Sequence, residues 1–261
     1  MTRLPVAPSK QLGQHFLVDE NILGVIGRLA ELAPDDVVLE VGPGLGVLTA
    51  FLAGRVALVH ALELDATLEP HLRARLGSRD NVRLAFGDAL RVDLSALEPA
   101  PTKLVSNLPY NVATPVVVES LERLPSVLLF CVMVQREAAD RFFAVPGTKA
   151  YGAVSVLVQL QAARAGFHQV SRTVFLPRPR VDSTLVSFKR IEPPSGYPGV
   201  KRVVEAGFAH RRKTLANSLE LVGLTQRDRT VEALAALGRP ASTRAEALAP
   251  AEFVQLAELL G

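Results

Sequence analysis

The sequence is poor in cysteine and in long apolar runs. Its only cysteine among 261 residues is Cys131, which excludes an internal disulfide framework and is typical of a reducing compartment. Apolar runs such as 127–134 are too short to span a bilayer, and residues 1–10 lack the apolar core of a signal peptide. With 49% hydrophobic and 21% charged residues, the composition is that of a folded globular protein. We therefore expect a cytoplasmic protein without a membrane partner.

Metal-ligand patterns are missing as well. The five histidines, at positions 15, 60, 71, 168 and 210, show no paired spacing of the kind that metal sites use. Cys131 lies inside an apolar run, where a single thiol is expected to fill the core. The sequence therefore predicts no metal site.

Acidic residues are scarce in one part of the chain. Residues 141–190 contain eight Lys and Arg but a single acid, Asp182, whereas residues 31–100 contain six Lys and Arg and eleven acids. A basic stretch of this kind also fits a merely solvated surface. The asymmetry nevertheless favours one region that binds a small ligand and another that meets a polyanion.

Short apolar runs alternate with helical patterns over the first 135 residues. Strands are predicted at 37–41, 57–62, 82–86, 103–106 and 127–134. Helices are predicted at 46–53, 67–76 and 113–123. Because this alternation implies right-handed crossovers, we predict an α/β fold with a doubly wound, Rossmann-like parallel sheet.

The composition and the spacing of apolar residues change after residue 192. Residues 193–199 are rich in Pro and Gly, which is typical of a linker, and the chain beyond them shows helical spacing without strand signals. We predict a cofactor-binding catalytic domain over residues 1–192 and a small helical domain over residues 193–261.

The first predicted strand ends in the glycine-rich loop Glu40–Gly46. Gly42, Gly44 and Gly46 let the backbone turn tightly and approach a ligand closely. Their G-x-G-x-G spacing differs from that of dinucleotide binders. Glu40 suits a positively charged amino-acid group better than a phosphate. The loop therefore predicts binding of S-adenosylmethionine, which contains no phosphate.

Two further acids follow the next two strands. Glu63 ends the second strand, and Asp88 precedes Ala89 just after the third. A carboxylate at the position of Glu63 can accept hydrogen bonds from both ribose hydroxyls of an adenosine. Asp88 could accept one from the amino group of the cofactor's adenine. The loop and both acids together predict an adenosine-containing cofactor.

The fourth strand is followed by Asn107-Leu108-Pro109-Tyr110. The Asn107 side-chain oxygen and the Leu108 carbonyl can accept the two hydrogens of an amino group while its nitrogen becomes pyramidal. Pro109 restricts the backbone, and Tyr110 offers a flat face for an unpaired or extruded base. Asn-x-Pro alone also fits an ordinary turn. Next to a methyl-donor site, it predicts methylation of an adenine amino group.

These segments resemble the KsgA-type dimethyltransferases, which modify two adjacent adenines near the 3′ end of small-subunit ribosomal RNA. The likeness covers nearly the whole chain and includes Gln11–Asp19, Phe175–Ser183 and Phe208–Asn217. It implies that Gln14, His15, Phe16, Leu17, Ala89 and Asn107 border the cofactor and that Phe175 packs on the target base opposite Tyr110. We also expect a monomer that acts in small-subunit biogenesis. Arg178 and Arg180 flank the predicted base site and are expected to contact RNA phosphates, as is the basic cluster Arg211, Arg212 and Lys213, which also fits a solvated surface.

One residue departs from the family pattern, and three other functions stay open. His15 occupies a position where most relatives carry Asn, which bears on cofactor affinity. The first alternative is dimethylation of a large-subunit RNA adenine, as in erythromycin-resistance methyltransferases. The second is a ribosome-assembly or transcription factor with little catalysis, and the third is a DNA adenine methyltransferase. The segment 211–217 favours the small-subunit reaction.

Overall fold

The computed structural model describes residues 6, 8, 9, 12–77 and 79–261. The strands in this part of the chain are β1 (Phe16–Leu17), β2 (Val37–Val41), β3 (Leu58–Glu63), β4 (Val82–Phe86), β5 (Lys103–Asn107), β6 (Leu129–Gln135), β7 (Ala162–Val170), β8 (Phe175–Leu176) and β9 (Ser183–Arg190). The helices are α1 (Asn21–Leu29), α2 (Val47–Ala53), α3 (Glu69–Leu76), α4 (Ala113–Arg123), α5 (Arg136–Phe142), α6 (Ala153–Gln159), α7 (Tyr197–Ala209), α8 (Leu215–Leu221), α9 (Arg227–Ala236) and α10 (Pro250–Leu260). Each strand and helix predicted before residue 136 is present, with its ends within two residues of the prediction.

Seven strands form one sheet in the order β4-β3-β2-β5-β6-β9-β7. β2 pairs in parallel with β3 and β5, β3 with β4, and β5 with β6. The predicted Rossmann-like sheet is thereby confirmed, and β9 extends it as an antiparallel neighbour of β6. The strand order reverses between β2 and β5, and ligands of such sheets bind at the carboxyl ends of the strands around this point.

The sheet is stable because its central strands are apolar on both faces. All five residues of β2 are buried, as are the first six residues of β6, which is expected for strands covered on both sides. Ile22, Leu23 and Ile26 of helix α1 pack in one apolar cluster with residues of the central strands, among them Cys131 of β6. The outer strand β4 is only partly covered. Burial is therefore deeper in the central strands β2 and β6 than in the outer strand β4.

The chain separates into two compact units. The first comprises the chain up to Ala139 together with Ala163–Arg190, and the second comprises Asp140–Ala162 and Ile191–Gly261. The border after Arg190 lies next to the predicted domain border at residue 192. The second unit also contains residues 140–162, which no linker composition marks. The assignment of catalysis and RNA contact to separate domains stays a prediction.

The second unit is a set of helices joined by buried hydrogen bonds. It contains α6 to α10, with Phe253 and Leu256 of α10 fully buried. The Tyr151 hydroxyl donates to the Leu248 carbonyl at 2.7 Å, and the Ser218 hydroxyl donates to the Ala206 carbonyl at 2.7 Å. Among the described residues, no helix has the length and apolar character that crossing a membrane requires.

Arg190, the last residue of β9, secures the carboxyl end of α4. Its guanidinium donates to the carbonyl groups of Leu121, Leu124 and Val127 at 2.8–2.9 Å. Leu121 lies in the last turn of α4, where carbonyls have no further turn to bond to. Leu124 follows the helix and also accepts from the Val127 amide at 3.0 Å, and Val127 leads into β6. The planar five-donor group reaches all three at once, which the single ammonium of a lysine cannot do.

We expect Arg190→Lys to lower the free energy of unfolding by about 3 kcal/mol, because charged hydrogen bonds to buried carbonyls are lost. Urea denaturation measures the change. Lys189→Met is the matched control, since Lys189 makes only an exposed ion pair with Glu31 at 2.8 Å, and we expect a loss below about 1 kcal/mol. Equal losses in the two variants would contradict the role given to Arg190.

Candidate active site

The glycine loop leaves β2 at the reversal of strand order. Gly42, Gly44 and Gly46 all have positive φ values, at 75°, 57° and 72°. A Cβ on Gly44 would lie 3.0 Å from the Phe16 ring, so any side chain there would press on the segment that covers the loop. Gly46 caps the start of α2, where an added Cβ would lie 3.2 Å from the Leu72 side chain, and it is not among the residues that border the cleft. Gly42 and Gly44 therefore shape the cleft, whereas Gly46 shapes the turn behind it.

The Glu63 carboxylate holds the loop against β3. One of its oxygens accepts a hydrogen bond from the Gly44 amide at 2.9 Å, and the other accepts one from the Asp65 amide at 2.9 Å. Burial raises the pKa of Glu63, and these two amides act in the opposite direction. The carboxylate thus positions the loop and still borders the cleft.

Glu40 is the least exposed acid of the site. It is 1% exposed, and among the described residues its Oε2 atom has no hydrogen-bond partner. Burial raises its pKa to about 8, with an opposing effect from the Thr49 hydroxyl and a smaller raising effect from the Glu63 charge. A buried carboxyl group without a partner is costly unless a donor or a cation reaches it. Glu40 is therefore suited to a positively charged ligand group.

Two cavities lie on either side of Gly42 and Glu63. The first, which we call the glycine-loop cleft, is bordered by Gln14, His15, Phe16, Leu17, Glu40, Gly42, Gly44, Glu63, Asn107, Leu108, Pro109 and Tyr110, among others. The second, which we call the Asp88 pocket, is bordered by Asp88, Ala89, Leu62, Leu64 and Val116, among others. Gln14, Gly42, Glu63 and Pro109 border both cavities. Together they suit an elongated ligand with one polar and one flat, apolar end.

Gln14 and Asp65 form a link that the sequence did not suggest. The Gln14 side-chain amide donates to Asp65 Oδ2 at 2.7 Å, and its oxygen accepts from the Ser9 amide at 2.7 Å. Asp65 was missed because a carboxylate two residues beyond a strand resembles an ordinary turn residue, and it does cap the following 3-10 helix. Like Asp65, Asp88 accepts a hydrogen bond from the amide two residues later, that of Leu90, at 3.0 Å.

The turn Asn107–Tyr110 forms the wall of the cleft opposite the glycine loop. The Asn107 side-chain nitrogen donates to the His15 carbonyl at 3.3 Å, which turns its oxygen away from that bond. The Leu108 amide donates to the Met133 carbonyl at 3.1 Å and thereby fixes the peptide. No hydrogen bond to Asn107 Oδ1 or to the Leu108 carbonyl occurs within the described residues. Both oxygens are available to a ligand amino group.

The Tyr110 ring is held at two places. Its hydroxyl lies 2.5 Å from Ser183 Oγ, and its ring centroid lies 5.4 Å from that of His15, with 31° between the planes. Burial raises the pKa of Tyr110, with a smaller opposite effect of Ser183, so the phenol is neutral at physiological pH. The ring therefore presents an uncharged face.

Phe175 is not among the residues that border the glycine-loop cleft. It is 1% exposed and packs in the same core cluster as Leu17. The reason is the antiparallel pairing of β1 with β8, in which Leu17 lies opposite Phe175 and Phe16 lies opposite Leu176. Successive residues of a strand point to opposite faces, so Phe16 turns to the glycine loop and Phe175 to the core. The predicted contact of Phe175 with a base stays a prediction.

A broad groove adjoins the turn. We call it the arginine groove; it is bordered by Gly13, Gln14, His15, Tyr110, Gln135 and 177–181, among others. Arg178 and Arg180 are exposed there, and Gln14, His15 and Tyr110 border this groove as well as the glycine-loop cleft. Arg211, Arg212 and Lys213 belong to the second unit and are exposed between α7 and α8, where Arg211 donates to the Tyr151 carbonyl at 3.2 Å. In the part of the chain that the structure describes, no cluster of three His, Cys, Asp or Glu suits a metal ion.

Comparison with known proteins identifies relatives over almost the full length. The family model described as ribosomal RNA adenine dimethylase matches residues 8–260. A ribosomal RNA small subunit methyltransferase A of Rubrobacter xylanophilus is 49% identical over 250 residues, which cover 95% of this chain and 94% of the relative. The protein of the same name from Streptomyces griseus is 46% identical, with 98% and 90% covered.

Two solved structures have the same fold. A dimethyladenosine transferase from Plasmodium falciparum has a TM-score of 0.77 at 22% identity, with 93% of this chain and 96% of the other covered. The 23S rRNA methyltransferase ErmE has a TM-score of 0.68 at 29% identity, with 94% and 99% covered. With the family model matched over residues 8–260, the chain belongs to the ribosomal RNA adenine dimethylase family.

Proposed function

We propose that this protein transfers methyl groups from S-adenosylmethionine to the N6 amino groups of two adjacent adenines near the 3′ end of small-subunit ribosomal RNA. The observation that carries the proposal is the position of the turn Asn107–Tyr110, which borders the glycine-loop cleft, while Tyr110 also borders the arginine groove. A methyl donor and an RNA base can therefore meet at one place. The family and the names of the curated relatives support ribosomal RNA of the small subunit as substrate.

The residues present fit S-adenosylmethionine. The unpartnered Glu40 oxygen suits the cationic amino-acid end. Gly44 borders the cleft without a side chain, so the ligand can approach its backbone closely. Glu63 would accept the ribose hydroxyls, while Asp88 and Ala89 in the largely apolar Asp88 pocket would take the adenine. The sulfonium of this cofactor supplies an electrophilic methyl group and leaves as a neutral thioether.

The Asn107 and Leu108 oxygens act on the substrate amino group. The nitrogen lone pair of adenine is delocalised into the ring, so it attacks only as the amino group becomes pyramidal. Two fixed acceptors on its hydrogens favour that geometry and stabilise the positive charge that develops on the nitrogen. The acceptors are already oriented by the bonds from Asn107 to His15 and from Leu108 to Met133.

Tyr110 and the arginines bind the RNA. A base cannot reach the cleft from within a duplex, so the target adenine must be unpaired or extruded, and it would stack on the neutral Tyr110 ring. Arg178 and Arg180 on the arginine groove would contact the phosphates next to the target. Arg211, Arg212 and Lys213 would contact RNA from the second unit. The cytoplasmic location and the monomeric state stay predictions.

The large-subunit reaction is the alternative that one observation favours, since ErmE shares the fold over nearly the whole chain at 29% identity. The higher identity to small-subunit methyltransferases favours the first proposal. Methylation assays with radiolabelled cofactor on isolated small and large ribosomal subunits distinguish the two. Label found only in large-subunit RNA would contradict the proposed function. No label in either subunit, despite cofactor binding by calorimetry, would favour an assembly factor.

Asn107→Ala should lower kcat about 100-fold, because one fixed acceptor is lost in the transition state. We expect the Kd for small-subunit RNA to change less than about threefold, since this acceptor adds little to ground-state binding. Single-turnover kinetics and filter binding measure both. Asn21→Ala, which removes an exposed amide whose side-chain nitrogen donates to Asp19 at 2.9 Å, is the control. Equal losses of turnover and RNA affinity would refute the acceptor role.

Replacing both Arg178 and Arg180 by Gln should weaken the salt dependence of RNA binding. Each phosphate contact contributes about 0.7–0.9 to the slope of log K against log salt, so the slope should decrease by about 1.4–1.8. The charge-matched control replaces Arg55 and Arg79 by Gln, both in the acid-rich part of the sequence. An unchanged slope in the first variant would place the RNA on another surface.

Cofactor binding should release a proton from Glu40. With a pKa of about 8, this carboxyl is mostly protonated in the free protein at pH 7 and must ionise to face a cation. Affinity should therefore rise as the pH increases from 6 towards 8. Calorimetry at pH 7 in buffers of different ionisation enthalpy should give about one proton released. Glu40→Gln should abolish the release, and equal heats in all buffers for the unchanged protein would contradict the mechanism.

A further inference from the structure

His15 borders both the glycine-loop cleft and the arginine groove, and no part of the proposed reaction requires its side chain. Its ring nevertheless lies against Tyr110, with 5.4 Å between the ring centroids and 31° between the planes. Pairs of aromatic rings at this separation attract each other, beyond the area that they bury. The imidazole therefore contacts the ring on which the target base is proposed to stack.

The imidazole is itself fixed. Its Nδ1 atom lies 2.8 Å from the Pro177 carbonyl oxygen. A carbonyl oxygen only accepts, so Nδ1 carries a proton and donates it, which sets the orientation of the ring. The backbone carbonyl of the same residue accepts the hydrogen bond from Asn107. His15 thus contacts Tyr110 with its side chain and Asn107 with its backbone.

The segment with the two arginines is attached at both of its ends to this pair. At one end, the Pro177 carbonyl accepts from His15; at the other, Ser183 Oγ lies 2.5 Å from the Tyr110 hydroxyl. Ser183 begins β9 and pairs with Gln135 of β6, so its position follows the sheet. Arg178 and Arg180 lie between these two attachments. Any displacement of the basic segment would therefore be transmitted to the rings of His15 and Tyr110.

We propose that His15 is a positioning residue for methyl transfer, which holds the Tyr110 ring in place and connects it, through Pro177, to the segment that binds RNA. The inference rests on the proposed function. It assigns the side chain of His15 to the substrate base, whereas the family resemblance places this position at the cofactor. An asparagine here could still donate to Pro177 but has no ring to place against Tyr110.

The kinetic test compares His15→Asn and His15→Phe with the unchanged protein. We expect His15→Asn to lower kcat on small ribosomal subunits about tenfold, because the base is held less accurately. Its Kd values for S-adenosylmethionine and RNA should stay within about twofold, since neither ligand depends on the ring for ground-state binding. His15→Phe keeps an aromatic ring and should recover part of the loss. The control is His168→Asn, an exposed histidine on β7.

A second readout does not depend on activity. The chain has three tyrosines, at 110, 151 and 197, and no tryptophan, so fluorotyrosine labelling gives a simple fluorine NMR spectrum. The resonance that Tyr110→Phe removes should shift in His15→Asn, while the other two stay in place.

Normal kcat with weakened cofactor binding in His15→Asn would overturn the inference, as would an unmoved Tyr110 resonance. Failure of the proposed function gives a different result, namely that the unchanged protein methylates no small-subunit RNA.

Discussion

The hydrogen bond from the Gly44 amide to the Glu63 carboxylate joins the ends of two neighbouring strands. Because Glu63 is almost fully buried, its charge stays in place only while backbone amides reach it. The loop that donates to Glu63 also borders the glycine-loop cleft. The same hydrogen bond therefore stabilises the buried Glu63 charge and fixes the shape of the cleft. Glu40 beside it is left without such a partner, which makes it the group that a ligand must satisfy.

Much of the first unit could be predicted from sequence because its signals are local. Apolar runs of five to eight residues identify the strands, and the glycine loop, Glu63, Asp88 and Asn107 follow directly at their ends. The pairing of Phe16 and Leu17 with 175–176 has no such signal, since two-residue strands show no periodicity. For the same reason the sequence could not reveal that Phe175 faces the core. The inclusion of 140–162 in the second unit depends on distant packing that no local pattern marks.

The site contains two kinds of residue: those at the ends of buried strands and those exposed on a connecting segment. Glu40, Glu63 and Asn107 lie at or near the ends of buried strands, so the sheet fixes their backbone positions. Arg178 and Arg180 are exposed on a connecting segment, where charge matters more than exact placement. His15 and Tyr110 lie between these two sets of residues. This arrangement suits an enzyme that must accept a large, variable polyanion and still place one nitrogen accurately.

The short ribbon of β1 and β8 has a consequence for how the protein is made. The segment that covers the cofactor loop is synthesised near the start of the chain, yet His15 bonds to a residue 162 positions later. A contact of such long range closes a large loop of chain, which costs entropy and cannot form before the later residue has been made. During synthesis, an emerging chain therefore has no covered glycine-loop cleft until Pro177 has left the ribosome. The capacity to modify ribosomal RNA would arise only after most of the first unit has been made, whereas residues 191–261 of the second unit could still follow.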